Sequence, residues 1–226
     1  MKSLLHLVLL LLALTACRAA EVVDRIVAVV NRQVILQSEL EQAARVEFLL
    51  QGRSLEDLNQ AEMQAVLDRM IDQDLLEQQI ANTPMLDPTP DELAVRLREI
   101  REQIPGAGDD AAWRRMMGSY AVTEVDVQKQ LTTQLRILRF IDLRFRNLAH
   151  VDRASINNYY TDKLLPELRK QGAPEPPLNQ VSDKIEKILV EQRIDEMLNA
   201  WLQTLRSQTH IQRMTADSKA SGGTTP

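Results

Sequence analysis

Apolar residues recur along this chain at two periods. From Val22 to Leu36 they fall in short β-branched runs: Val22-Val23, then Ile26 to Val30 after Asp24-Arg25, then Val34-Ile35-Leu36. The polar pair Asn31-Arg32 between the last two runs reads as the turn of a β-hairpin. Asn31 tolerates the left-handed backbone such a turn needs. Arg32 at positive φ would be strained, so a three-residue turn through Gln33 fits equally well. Ser38, with Glu41 three residues on, has the form of a capping box in which each side chain meets a free backbone N–H at a helix start. Strand, turn, strand and helix start are thus predicted within one short stretch.

Beyond Ser38 the apolar spacing becomes helical. Leu40, Ala43, Ala44 and Phe48 predict a first helix to about Gln51, ended by Gly52. A second helix, starting at Leu55 or Gln60 and running to Ile80, carries Met63, Val66, Leu67, Met70, Ile71, Leu75, Leu76 and Ile80 in one stripe. The Met63–Met70 part of that stripe reads either as core or as a soft peptide-binding surface, because methionine repacks easily. Pro84, Pro88 and Pro90 break the helical pattern. Thr89-Pro90-Asp91-Glu92 restarts it, with Leu93, Leu97 and Ile100 inside and Pro105-Gly106 beyond its end. A short helix from Asp109 to about Gly118 holds Trp113, Met116 and Met117, and Tyr120 follows; these read as packing anchors or client contacts. Thr123 opens a long helix through Val127, Leu131, Leu135, Leu138, Ile141, Leu143 and Phe145. Arg136, Arg139, Arg144 and Arg146 on it read as a solvated basic face with helix C-terminal cations, or as a contact for acidic clients or lipid head groups. Another helix opens near Val151, and Gln171–Pro177 is a stiff proline-bearing linker. A last long helix to about Ser207 carries Val181, Ile185, Ile188, Leu189, Ile194, Met197, Leu198, Trp201, Leu202 and Leu205. Thr209–Arg213 alternates like a short strand, and 214–226 is small and polar, the composition of a disordered tail.

Composition agrees with a mainly α chain: only 4% of residues are aromatic and 7 are glycine. The net charge of −5 excludes nucleic acid as the main partner, because phosphate binding needs clustered positive charge. Residues 1–16 read as a secretory signal: Lys2 is a basic start, and the apolar run from Leu4 to Leu14 is too short to span a bilayer well. Leu14-Thr15-Ala16-Cys17 has the form of a bacterial lipobox, in which the cysteine is acylated; the other reading is an ordinary signal cut near Ala19 or Ala20. Cys17 is the one cysteine, so no internal disulfide forms. Arg18 stands where an inner-membrane retention aspartate would lie, which favours the outer membrane. No catalytic constellation emerges. His6 leaves with the signal, His150 and His210 lack metal-ligand spacing, and no serine sits in a Gly-x-Ser-x-Gly elbow. No catalytic residue, metal or cofactor is assigned.

Val22-Val23-Asp24-Arg25-Ile26, Ala28-Val29-Val30-Asn31 and Ser38-Glu39-Leu40 together resemble the opening of the SurA-like periplasmic chaperone domain that heads parvulin-type foldases. The start of the helix at Val151 with its Tyr159-Tyr160 pair, and Glu191-Gln192-Arg193 with Trp201-Leu202, resemble later segments of that family. In foldases of the family an isomerase domain of about ninety residues follows the tyrosine pair. Between Tyr160 and Val181 there is one glycine and room only for a linker. The resemblance therefore implies the chaperone module without the parvulin domain. It implies a helical domain with a small sheet made by the N-terminal hairpin and a C-terminal strand, since a lone hairpin is marginal in water. The expected organisation is a lipoprotein-type signal (1–16), an N-terminal chaperone domain (21–150), a helix and linker replacing the isomerase (151–177), and a C-terminal helix and strand completing the domain (178–213). The implied function is ATP-independent binding of unfolded secreted or outer-membrane polypeptides in the periplasm, in a groove between the N-terminal helices and the last helix, with the protein held at a membrane through Cys17. Candidate peptide-binding residues are Met63, Met70, Trp113, Met116, Met117 and Tyr120. The alternatives are a prolyl cis–trans isomerase or accessory foldase, and a structural lipoprotein subunit of an envelope assembly or export complex.

Overall fold

The two ends of the described chain meet in one antiparallel sheet of order β2-β1-β3. The computed structural model describes residues 24–81 and 83–214. Strand β1 (Ile26–Val30) pairs with β2 (Gln33–Leu36) on one side and with β3 (Ile211–Arg213) on the other. Val30 lies opposite both Gln33 and Ile211, so the connection is a two-residue turn. Asn31 has φ 57° and Arg32 stays out of the left-handed region. Positive φ at the first central residue alone is the pattern of a II′ turn, which matches the strand twist and spares Arg32 the strain that a I′ turn would impose. Asn31 is held from both sides: its side chain donates to Gln78 at 2.8 Å and its N–H to the His210 carbonyl at 3.0 Å. A bulge at Val27 lets Val27 and Ala28 both face the core.

Helix α1 (Gln37–Leu50) starts earlier than the capping-box reading predicts, with Leu36 at the N-cap. The Leu36 N–H donates to Glu39 at 3.0 Å, not to Glu41. Ser38 is not a cap; its N–H and hydroxyl both donate to the Asp24 carboxylate, reaching back across the hairpin. These bonds hold Asp24 below the usual carboxylate range, with the Ser38 hydroxyl the largest cause. At the far end Gly52 has φ +64°; Arg53 N–H donates to the Phe48 carbonyl and Gly52 N–H to Leu49, a Schellman stop.

Ser54 caps a single 3₁₀ turn (Leu55–Asp57), and α2 (Gln60–Ile80) begins only after the Asn59 N-cap. The first core joins the sheet, α1 and α2: Ala28, Val30, Ile35, Leu40, Ala44, Val66, Leu67 and Ile71 are buried there, with Ile211 packed against them. Helix α3 (Pro90–Gln103) starts where predicted, on a capping box of Thr89 with Glu92. Helices α4 (Asp110–Ser119) and α5 (Glu124–Phe145) follow, and a second core gathers Val46, Leu49, Ile100, Ile104, Trp113, Met117, Val127 and Leu131.

The C-terminal part is more thinly packed. Helix α6 (Arg153–Tyr159), a π-turn (Tyr160–Leu164) and α7 (Leu165–Lys170) form one run with no buried residue. The π-turn ends two residues before Pro166, whose ring and missing N–H do not fit an uninterrupted α-helix. Helix α8 (Leu178–Gln208) buries only Ile185 and Ile194, while Ile188 is exposed. A third, small core joins Ile194, Met197 and Trp201 to Phe145 at the end of α5. The predicted apolar series of α5 is interrupted too: Leu138 and Leu143 are 56% and 60% exposed.

Candidate functional site

A groove of about 1000 Å³ opens between α1, α2 and α5, with β2 at one end. The sequence expectation places the client groove against the last helix, which contributes no residue to this one. Helix α5 supplies that wall; α8 packs on α2 elsewhere through Arg206, 2.6 Å from Asp72, and Arg213 on β3 pairs with Asp68 beside it.

The floor follows from two helical stripes lying side by side. On α1, Ala43 and Val46 sit next to the core residues Leu40 and Ala44; on α2, Val66 and Met70 sit next to Leu67 and Ile71. The rim is polar. Glu39, Gln42 and Glu47 come from α1, Arg69, Gln73, Asp74 and Glu77 from α2, and Asp126, Lys129, Gln130, Thr133 and Gln134 from α5. On α2 the lining positions 66, 69, 70, 73, 74 and 77 keep helical spacing, so a single face makes the whole wall.

Several rim charges are already engaged. Glu47 pairs with Arg69 at 2.6 Å. Asp126 caps α5 by accepting the Thr123 N–H at 2.8 Å, and also accepts the Gln42 amide at 3.0 Å. The Thr123 hydroxyl and N–H hold the Asp126 carboxyl below its usual range. Asp74 is different. Burial pushes its carboxyl up to about 6, and the nearby Glu77 and Glu39 charges push in the same direction. Among the described residues no group of three or more His, Cys, Asp or Glu is placed to hold a metal ion.

The six sequence candidates separate. Met70 lines the groove, and Met63 packs half-buried against the first core. Trp113 and Met117 are buried in the second core, where Met116 and Tyr120 pack against them. The Arg101 guanidinium lies 5.6 Å from the Trp113 ring centroid, and the Tyr120 hydroxyl donates to the Arg53 carbonyl. These four make a packing cluster that adds no surface to the groove. The polar lining was missed because its residue types match those of an ordinary solvated helix face. The signal was the second α2 stripe, helically spaced and offset from the core stripe.

The four arginines on and just after α5 are not a free basic face. Arg136 pairs with Asp87 at 2.8 Å, and Arg139 donates to the Asp87 carbonyl at 2.8 Å and pairs with Glu92, so together they hold the proline loop. Arg144 lies 4.4 Å over the Trp201 ring, and Arg146 pairs with Asp142 and with Glu191 at 2.9 Å. Cys17 and residues 1–16, read as a lipidation site and signal, lie outside the described residues, as does 215–226, most of the predicted tail. Among the described residues no helix is long and apolar enough to cross a membrane.

The described chain is thus a helical frame with a hairpin leading into α1 and a polar-rimmed groove. Compared with known families, residues 1–141 match the SurA-like N-terminal domain, and the chain belongs to that family. No parvulin domain is matched. A search of curated proteins finds no match. The family match ends within α5, yet the strand that completes the sheet, β3, comes from beyond it.

Proposed function

We propose that this protein is an ATP-independent periplasmic chaperone that captures unfolded secreted or outer-membrane polypeptides in the α1–α2–α5 groove. In this reading 21–150 and 178–213 build the chaperone unit, and 151–177 stands in the place of the isomerase domain. The observation that carries it is the groove itself, an open cleft with an apolar floor and a rim of adaptable amides in a chain of a chaperone-type family. Such a surface favours reversible, sequence-tolerant capture, because apolar contact supplies affinity and amide side chains re-pair with many backbones. Acylation of Cys17 would hold the groove at a membrane surface, with more than one acyl chain needed for a stable anchor.

The test is dilution of a urea-unfolded outer-membrane polypeptide into buffer without nucleotide, followed by light scattering. An equimolar amount of the protein is expected to suppress aggregation, and Met70→Glu, on the groove floor, to weaken suppression while the fold stays intact. Unsuppressed aggregation overturns the reading. Accelerated cis–trans exchange of a proline-containing peptide would assign isomerase chemistry instead. Lipidation is checked by incorporation of a labelled fatty acid, which Cys17→Ala is expected to abolish.

A further inference from the structure

Four groove carboxylates make no ion pair with any described residue. Asp126 among them caps α5, and Glu47 is committed to Arg69; Glu39, which also accepts the Leu36 N–H, Asp74 and Glu77 are the other three. The three are close enough for Glu77 and Glu39 to raise the Asp74 pKa, yet they are not placed to share one metal ion. An unrelieved repulsion of this kind costs stability, and it is a common feature of surfaces kept for binding. Two further observations point to an extended chain as the missing partner. Strand β2 lies at the sheet edge and lines the groove, and an unpaired edge accepts an extended segment. On the opposite wall Thr133 is only 8% exposed, and its hydroxyl makes no hydrogen bond to another described residue.

We infer that the groove takes an extended polypeptide segment bearing lysine or arginine side chains, whose aliphatic stems lie on Ala43, Val66 and Met70 and whose cationic ends meet Glu39, Asp74 and Glu77. This rests on the groove being the capture site proposed above, and adds the chemical class that it prefers. Alternate side chains of an extended chain lie on one face about 7 Å apart, so successive cations reach separate carboxylates. Lysine and arginine bury their methylene stems while the charged ends stay at the rim, which is the arrangement of floor and rim found here. Lys129 on the α5 wall makes no ion pair among the described residues and opposes the same cations.

The test uses fluorescence anisotropy of the full chain with short fluorescein-labelled peptides in which lysine, glutamine or glutamate alternates with valine. The lysine peptide is expected to bind about tenfold more tightly than the glutamine peptide at low salt, with the glutamate peptide weakest and the difference shrinking at physiological salt. Combined Glu39→Gln, Asp74→Asn and Glu77→Gln substitutions are expected to bring the lysine peptide to the level of the glutamine peptide. Lys129→Gln is expected to tighten the lysine peptide, and it carries the test alone if the triple variant fails to fold. Equal binding of all three peptides overturns the cation preference and leaves the capture site standing. No binding by any peptide removes both. A lysine preference that survives the triple variant, or no tightening in Lys129→Gln, overturns the inference by placing the preference elsewhere.

Discussion

Single residues carry two kinds of information here, backbone conformation and charge. Gly52 sits at φ +64° and a Cβ there would meet Ile104 at 3.5 Å, which is ordinary contact, so conformation alone decides its replacement. Gly52→Ala is expected to cost about 1 kcal/mol, read as a lower urea midpoint with unchanged slope. Asp74 and Glu92 have opposite pH dependence. The Asp74 carboxyl titrates near 6 in the folded chain against 3.8 unfolded. As pH rises from about 4 to about 6, the unfolded chain ionises first, so the folded state loses stability, and the full cost remains above 6. Two pH units set a ceiling of about 3 kcal/mol, which solvent screening of this partly exposed group reduces to about 1 kcal/mol. Asp74→Asn is therefore expected to stabilise the protein at pH 8 and to be neutral near pH 4, by denaturant unfolding at both. Glu92 is held down to about 2 by the Thr89 N–H, the Arg139 guanidinium and the Thr89 hydroxyl. Its stabilising contribution is present above 4.5 and is lost as pH falls through about 2. Glu92→Gln is expected to lower stability at neutral pH, and the gap should close under strong acid.

At the level of elements, strong local signals were readable and borrowed ones were not. Thr89 with Glu92 and Thr123 with Asp126 announce their helices because the cap and the capped N–H are neighbours in sequence. Ser38 misled for a physical reason: its partner is Asp24, fourteen residues away across a hairpin, so no local pattern distinguishes it from a cap. Leu138 and Leu143 misled because helical spacing marks a face without saying whether a neighbour covers it. Strand β3 was legible from the need of the hairpin for a third strand. It adds the His210 carbonyl for Asn31, the Met214 N–H for Val27 and the side chain of Ile211 to the first core. Truncation after Gln208 removes all three and is expected to cost about 3 kcal/mol, from a few hydrogen bonds and a half-buried isoleucine. A truncated chain that unfolds at the parent midpoint would mean that the hairpin is held by α2 alone.

For the whole molecule, the three cores divide the labour. The first two interlock through α1, which sends Leu40 and Ala44 to one and Val46 and Leu49 to the other, so the groove lies on the best-supported part of the chain. The groove was the least legible feature because it depends on α5 crossing α1 and α2, and no single helix encodes that crossing. The C-terminal run lacks such support: α6, the π-turn and α7 bury no residue, and the facing half of α8 buries Ile185 and Ile194. Local opening free energy follows the apolar area that a segment buries, so this difference is measurable. Amide hydrogen exchange of the native protein is expected to be slowest in α2 and β1, and fastest, among helical amides, from Arg153 to Lys170. The end of α8 should exchange more slowly than its start, because Arg206 ties that end to Asp72 on α2 and the β3 residue Arg213, just beyond it, pairs with Asp68. A bound client in the groove should slow α1, α2 and α5 and leave 153–170 unchanged. Slowing confined to 153–170 would instead move client capture to that segment.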